Sequence, residues 1–153
     1  MSRMKPFVTI AAVLACGAIG GSLLRAAQTT TSTTTSDQTT WSGVYTEAQA
    51  KRGEALYADK CSSCHAPDLT GLDQAPALAG NDFNTNWNDL SLNDLFERIH
   101  ISMPGDKPGT LSRQEVADLV AFILQRGNFP AGQAELSTQA EALKGIKFVA
   151  KKP

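Results

Sequence analysis

The sequence is poor in residues that hold metals or make disulfides: three cysteines, two histidines and three methionines in 153 residues. Cys16 falls in an apolar leader, which leaves Cys61 and Cys64 for a folded domain. Two thiols exclude a disulfide-dense scaffold. They also leave structural zinc short of donors, because that site needs four ligands. Beyond the Cys61–His65 segment only His100 offers nitrogen or sulfur, methionine aside. There is no internal repeat, and no alternating stretch long enough for a sheet.

A basic surplus is lacking too. The net charge is −1, and it is unevenly spread. Residues 41–130 hold seven bases against twelve acids, a net −5, while residues 131–153 hold four bases against two acids. Phosphate binding needs a basic face, so nucleic acid is not an expected partner. An acidic face suits either plain solubility or steering toward a basic protein.

Met1 to Lys5 is basic, and Pro6 to Leu24 is a 19-residue run without charge. This reads as an export signal, just long enough to span a bilayer. Residues 1–27 are therefore expected to be a signal peptide cleaved near Ala26 or Ala27, or a retained N-terminal anchor. Lipid attachment at Cys16 is a third alternative. Each places the domain outside the cytoplasm, in the periplasm. Residues 28–40, QTTTSTTTSDQTT, have no apolar face and read as a flexible linker. The folded domain is expected over 41–130 and a C-terminal tail over 131–153.

The domain reads as all-α. Thr46 and Gln49 form a capping box ahead of a helix from about Glu47 into Cys61, with Gly53 inside it. Ser91 and Asp94 open a second helix with Leu92, Leu95, Phe96 and Ile99 on one face, ending near Ile101. Ser112 and Glu115 open a third, striped by Val116, Leu119, Val120, Ile123 and Leu124 and stopped at Gly127. Residues 66–90 read as one long loop. Three short helices and such a loop make a thin core. A large flat apolar cofactor at the centre would complete it.

Cys61-Ser62-Ser63-Cys64-His65 supplies that cofactor. In C-x-x-C-H two thiols add across the two vinyl groups of a haem, and the adjacent imidazole reaches the iron. A redox disulfide would want a βαβ context, which is absent. The expected cofactor is one haem c, covalent through Cys61 and Cys64, with His65 as an iron ligand. For the opposite side the alternatives are Met103, His100 or an open position. Met103 is favoured, since the other methionines, Met1 and Met4, lie in the leader. A His/Met pair suits electron transfer rather than oxygen chemistry. The expected class is therefore an electron carrier, not an enzyme. The rival is a haem enzyme or gas sensor with an open site and His100 as a distal group.

At these residues the chain resembles the class I cytochromes c, over roughly Thr46 to Asn128. The elements carrying the likeness are Gly53 and Tyr57, Cys61 to His65, Pro76-Ala77-Leu78-Ala79-Gly80, Met103-Pro104-Gly105 and Phe122. The resemblance implies a bundle of three main helices around one haem. It implies that Gly53 meets Phe122 at a helix crossing, and that the Pro76 carbonyl accepts a hydrogen bond from the proximal imidazole. Residues 81–87, Leu95 to Ile99 and Met103-Pro104 are similar to cytochrome domains that accompany PQQ-dependent alcohol and sugar dehydrogenases. That likeness implies Trp87 and Arg98 as partners of the haem propionates. It also implies a periplasmic dehydrogenase as electron donor, and another cytochrome or a terminal oxidase as acceptor. A membrane tether through residues 6–24 is compatible with either.

Overall fold

The computed structural model describes residues 38–73 and 75–153. The leader, with Cys16, and linker residues 28–37 lie outside the described residues. Among the described residues no helix is long and apolar enough to cross a membrane.

The fold is all-α, with three main helices. α1 (Glu47–Lys60) starts where the Thr46 hydroxyl accepts from the Gln49 amide. The Gln49 side chain does not complete the capping box. It turns inward to Leu136 instead. α4 (Leu92–Ser102) and α5 (Arg113–Arg126) each carry a complete capping box, Ser91 with Asp94 and Ser112 with Glu115. Of the expected α4 stripe Leu92, Leu95 and Phe96 are buried and Ile99 is half-buried; in α5 the expected stripe is buried together with the rest of the run from Val116 to Leu124, Asp118 included.

α1 packs across α5. A Cβ on Gly53 would collide with the Asp118 carbonyl and lie 2.9 Å from Phe122 Cβ. Gly53 is therefore where the two backbones touch, and it meets Phe122 as the resemblance implies. The mid-helix glycine, costly in propensity, is required by the close approach.

Residues 66–90 are not one loop. Between α1 and α4 lie a short turn of helix, α2 (Ser62–His65), and a further helix, α3 (Asn81–Trp87). α3 had no legible start: Gly80 occupies its N-cap with φ +88° and gives no side-chain cap. It shows only Phe83 and Trp87 as an apolar pair, their rings 6.1 Å apart.

The segment after Pro130 wraps the bundle. It forms α6 (Ala140–Lys144) and a two-residue strand, β2 (Ile146–Lys147), which pairs in parallel with β1 (Gln38–Thr39). Gln38–Thr40, read from sequence as the end of the linker, are thus part of the fold. The Thr40 amide donates to the Lys147 carbonyl, and the Trp41 indole N–H donates to the Val149 carbonyl at 2.8 Å. Leu136, Leu143, Ile146 and Phe148 are buried, each contributing roughly 1.5–3 kcal/mol. Phe148 sits edge-on to both Phe83 and Phe129. Three helices alone would have made a thin core; the strap thickens it.

Candidate haem-attachment site

α1 runs directly into the motif. The Cys61 amide closes the helix onto the Tyr57 carbonyl at 3.0 Å, and the His65 amide then donates to the Cys61 carbonyl at 2.9 Å. One helical turn thereby carries both thiols and the imidazole. Neither thiol is in a disulfide; Cys61 is half-buried and Cys64 exposed.

Burial pushes the Cys61 thiol up to about 11. Structural zinc needs four ligands. Among the described residues no three His, Cys, Asp or Glu side chains are grouped to hold a metal ion.

His65 is buried, 7% exposed. Its Nδ1 lies 2.8 Å from the Pro76 carbonyl oxygen. A carbonyl only accepts, so Nδ1 carries the proton, and in the neutral ring the free lone pair is then on Nε2. That is the tautomer an iron-ligating histidine needs. The loop that returns Pro76 is tightly wound. Leu72 and Ala75 pair with each other, and the Leu78 amide donates to the Leu69 carbonyl at 2.9 Å. Two free thiols at C-x-x-C spacing and an imidazole with an open Nε2 fit a covalent haem.

The other residues singled out from sequence are spread over α3 and α4. Met103 caps α4 in extended backbone, half-buried, with its amide bonded to the Ile99 carbonyl at 2.9 Å. Trp87 ends α3, half-buried against Phe83, and Arg98 is exposed on α4. Neither shares a hydrogen bond with His65. His100 is half-buried beside the Phe96 ring and 3.7 Å from Glu97.

Sequence reasoning missed two contributors. Tyr57 was noted only as a family element, yet its hydroxyl reaches the carbonyls of His65 and Ala66. Gly71 lay within the stretch expected to be one long loop, yet its amide donates to the His65 carbonyl. A tyrosine one helical turn before the first thiol was the available signal for the former.

Residues 48–123 match the family described as cytochrome c oxidase, cbb3-type, subunit III. Among solved structures, the sulfane dehydrogenase SoxCD from Paracoccus pantotrophus is similar at 32% identity and a TM-score of 0.41. That likeness covers 52% of this chain and 43% of that one, so the chain matches less than half of its length. The family match spans both thiols, the histidine and Met103, on the helical frame that holds them. Residues 48–123 therefore form a monohaem c-type cytochrome domain, a unit that carries electrons on one haem c attached covalently through Cys61 and Cys64.

Proposed function

We propose that this carrier uses His65 and Met103 as axial ligands and serves as a periplasmic electron acceptor for a PQQ-type dehydrogenase. The observation that carries the ligation is the 2.8 Å contact between His65 Nδ1 and the Pro76 carbonyl. It holds the ring in one tautomer, presents Nε2 and raises the basicity of that nitrogen. When bound, haem supplies a one-electron ferric–ferrous couple. Met103 suits the opposite side because Pro104-Gly105 ends α4 there and its thioether is the one methionine sulfur of the folded domain. Trp87 and Arg98, at the end of α3 and on α4, are the donors proposed for the propionates.

The leader supports export, with residues 6–24 either removed or kept as a membrane tether. The acidic surface of residues 41–130 supports docking to a basic redox protein. A dehydrogenase would deliver electrons, and another cytochrome or a terminal oxidase would take them. The chain would act as a separate carrier or as an electron-transfer subunit of the dehydrogenase.

Absorption spectra of the purified protein with and without carbon monoxide test the ligation. A ferric sulfur-to-iron band in the near red and no carbon monoxide shift on reduction are expected. Met103→Ala should abolish the band, open the site to carbon monoxide and lower the potential. Rapid carbon monoxide binding by the unmodified protein would overturn the reading and favour a gas sensor. For the donor, reduction by a purified quinoprotein dehydrogenase in stopped flow should slow steeply as salt rises. No reduction at any ionic strength would rule that donor class out.

A further inference from the structure

His65 is followed by a strained residue. Ala66 has φ 63° and ψ 153°, a region essentially reserved for glycine that costs other residues about 1–3 kcal/mol. Such a conformation persists only where its surroundings enforce it. The buried Tyr57 hydroxyl does so from one side, 2.6 Å from the Ala66 carbonyl oxygen and 3.2 Å from that of His65. The Gly71 amide does so from the other, donating to the His65 carbonyl at 3.0 Å.

Gly71 is also pressed from above. Its φ is +81°, and a Cβ there would lie 2.5 Å from the Ala75 oxygen and 2.8 Å from both the Ala77 nitrogen and the Pro76 carbonyl carbon. The peptide whose oxygen faces the imidazole thus rests directly on Gly71. One glycine holds the histidine's backbone through its amide and makes room for the carbonyl that holds the histidine's ring.

We infer that Tyr57 and Gly71 are positioning residues for His65. Together they form a backbone clamp that sets the orientation and basicity of its imidazole toward the iron. The inference rests on His65 being an axial ligand. A tight Nδ1–H···O bond makes the ring a stronger donor, which favours ferric iron and keeps the potential down. Loosening the clamp raises the potential.

The test is potentiometric titration of the full-length holoprotein, with proton NMR of the hyperfine-shifted His65 ring in the ferric state. Gly71→Ala drives the 75–77 segment off the ring. It should move the ferric–ferrous partition about tenfold toward ferrous, which is 59 mV for one electron. Tyr57→Phe keeps the ring in its tilted contact with Phe122, 5.3 Å between centroids, and deletes only the hydroxyl. It should shift the potential the same way by less, and move the histidine ring resonances. A merely structural role would lower the melting temperature and leave potential and ring shifts in place; that outcome overturns the clamp. If Gly71→Ala yields no holoprotein, Tyr57→Phe decides alone on the same two readouts. A wild-type spectrum without a histidine-ligated iron overturns the ligation and the clamp together. A normal wild-type spectrum with unmoved variants overturns the clamp only.

Discussion

Gln49 and Leu136, 87 residues apart, exchange two hydrogen bonds: the Gln49 amide nitrogen donates to the Leu136 carbonyl at 3.2 Å, and the Leu136 amide donates back at 2.7 Å. A side chain thus imitates a strand partner for a segment that has none. Gln49 is fully buried, and both Leu136 groups depend on it. Removing it leaves a buried donor and a buried acceptor without partners, each costing about 1–3 kcal/mol.

Gln49→Ala should therefore destabilise the holoprotein by roughly 3 kcal/mol. In urea this is a fall in midpoint of about 1–2 M at constant slope. Gln49→Glu should be nearly as damaging, because a carboxylate accepts from the Leu136 amide but cannot donate to its carbonyl. A midpoint unchanged in both variants would show that the Gln49 hydrogen bonds contribute nothing to holding the strap.

At the helix crossing, propensity and packing oppose each other at Gly53. Alanine gains about 1 kcal/mol over glycine inside a helix. Its Cβ, however, would strike the Asp118 carbonyl, which is backbone and cannot rotate away. Overpacking of this kind costs about 1–3 kcal/mol or more. Gly53→Ala should be net destabilising, with α1 displaced from α5 and, since α1 leads into Cys61, with a lower yield of attached haem. Thermal melting and haem-to-protein absorbance ratios check both parts. A more stable Gly53→Ala protein would mean that the contact relaxes at no cost.

How far the sequence could be read follows from the range of each interaction. α1, α4 and α5 were legible because caps and stripes act within one or two turns; Ser91 with Asp94 and Ser112 with Glu115 lie three residues apart. α3 was not, because its first residue follows a glycine at positive φ and its sequence is polar apart from Phe83 and Trp87. The strap was illegible for a different reason. Its bonds join Thr40 and Trp41 to Val149 across more than 100 residues, and nothing local marks them. At the site, C-x-x-C-H spoke for itself, whereas Pro76 entered only through family resemblance. The reason Gly71 must be glycine is the crossing of the 75–77 backbone, which no spacing rule encodes.

Arg52 bridges two carboxylates of unequal burial. It makes paired hydrogen bonds to Asp118 and paired hydrogen bonds to Glu135, all at 2.9 Å. The Asp118 side chain is 6% exposed and that of Glu135 is 47% exposed. Asp118→Ala should cost about 2 kcal/mol, reduced from the fully buried case because Arg52 itself is half in solvent. It also removes the acceptor of the exposed Gln114 side-chain amide, which can turn to water instead. Glu135→Ala should cost less than about 1 kcal/mol and lose most of that effect in high salt. Equal costs for the two variants would contradict the burial argument.

Acid should weaken the N-terminus of α5 in a defined direction. The Ser112 backbone N–H, then its hydroxyl, hydrogen-bond the Glu115 carboxylate and hold its pKa below the ordinary value. For an acid with a depressed folded pKa, the stabilisation is complete above the unfolded value, about 4.3 for glutamate. It is lost as pH falls through the folded one. Glu115→Gln keeps an oxygen that can accept but removes the charge near the helix N-terminus. At pH 7 the variant should be less stable by under about 1 kcal/mol. At pH 3 the gap should shrink, because that pH lies below the unfolded value and the stabilisation is by then being lost. Urea midpoints of the two proteins at both pH values decide it. A gap that holds its size at pH 3 would mean that shape, and not charge, is what Glu115 contributes to the cap.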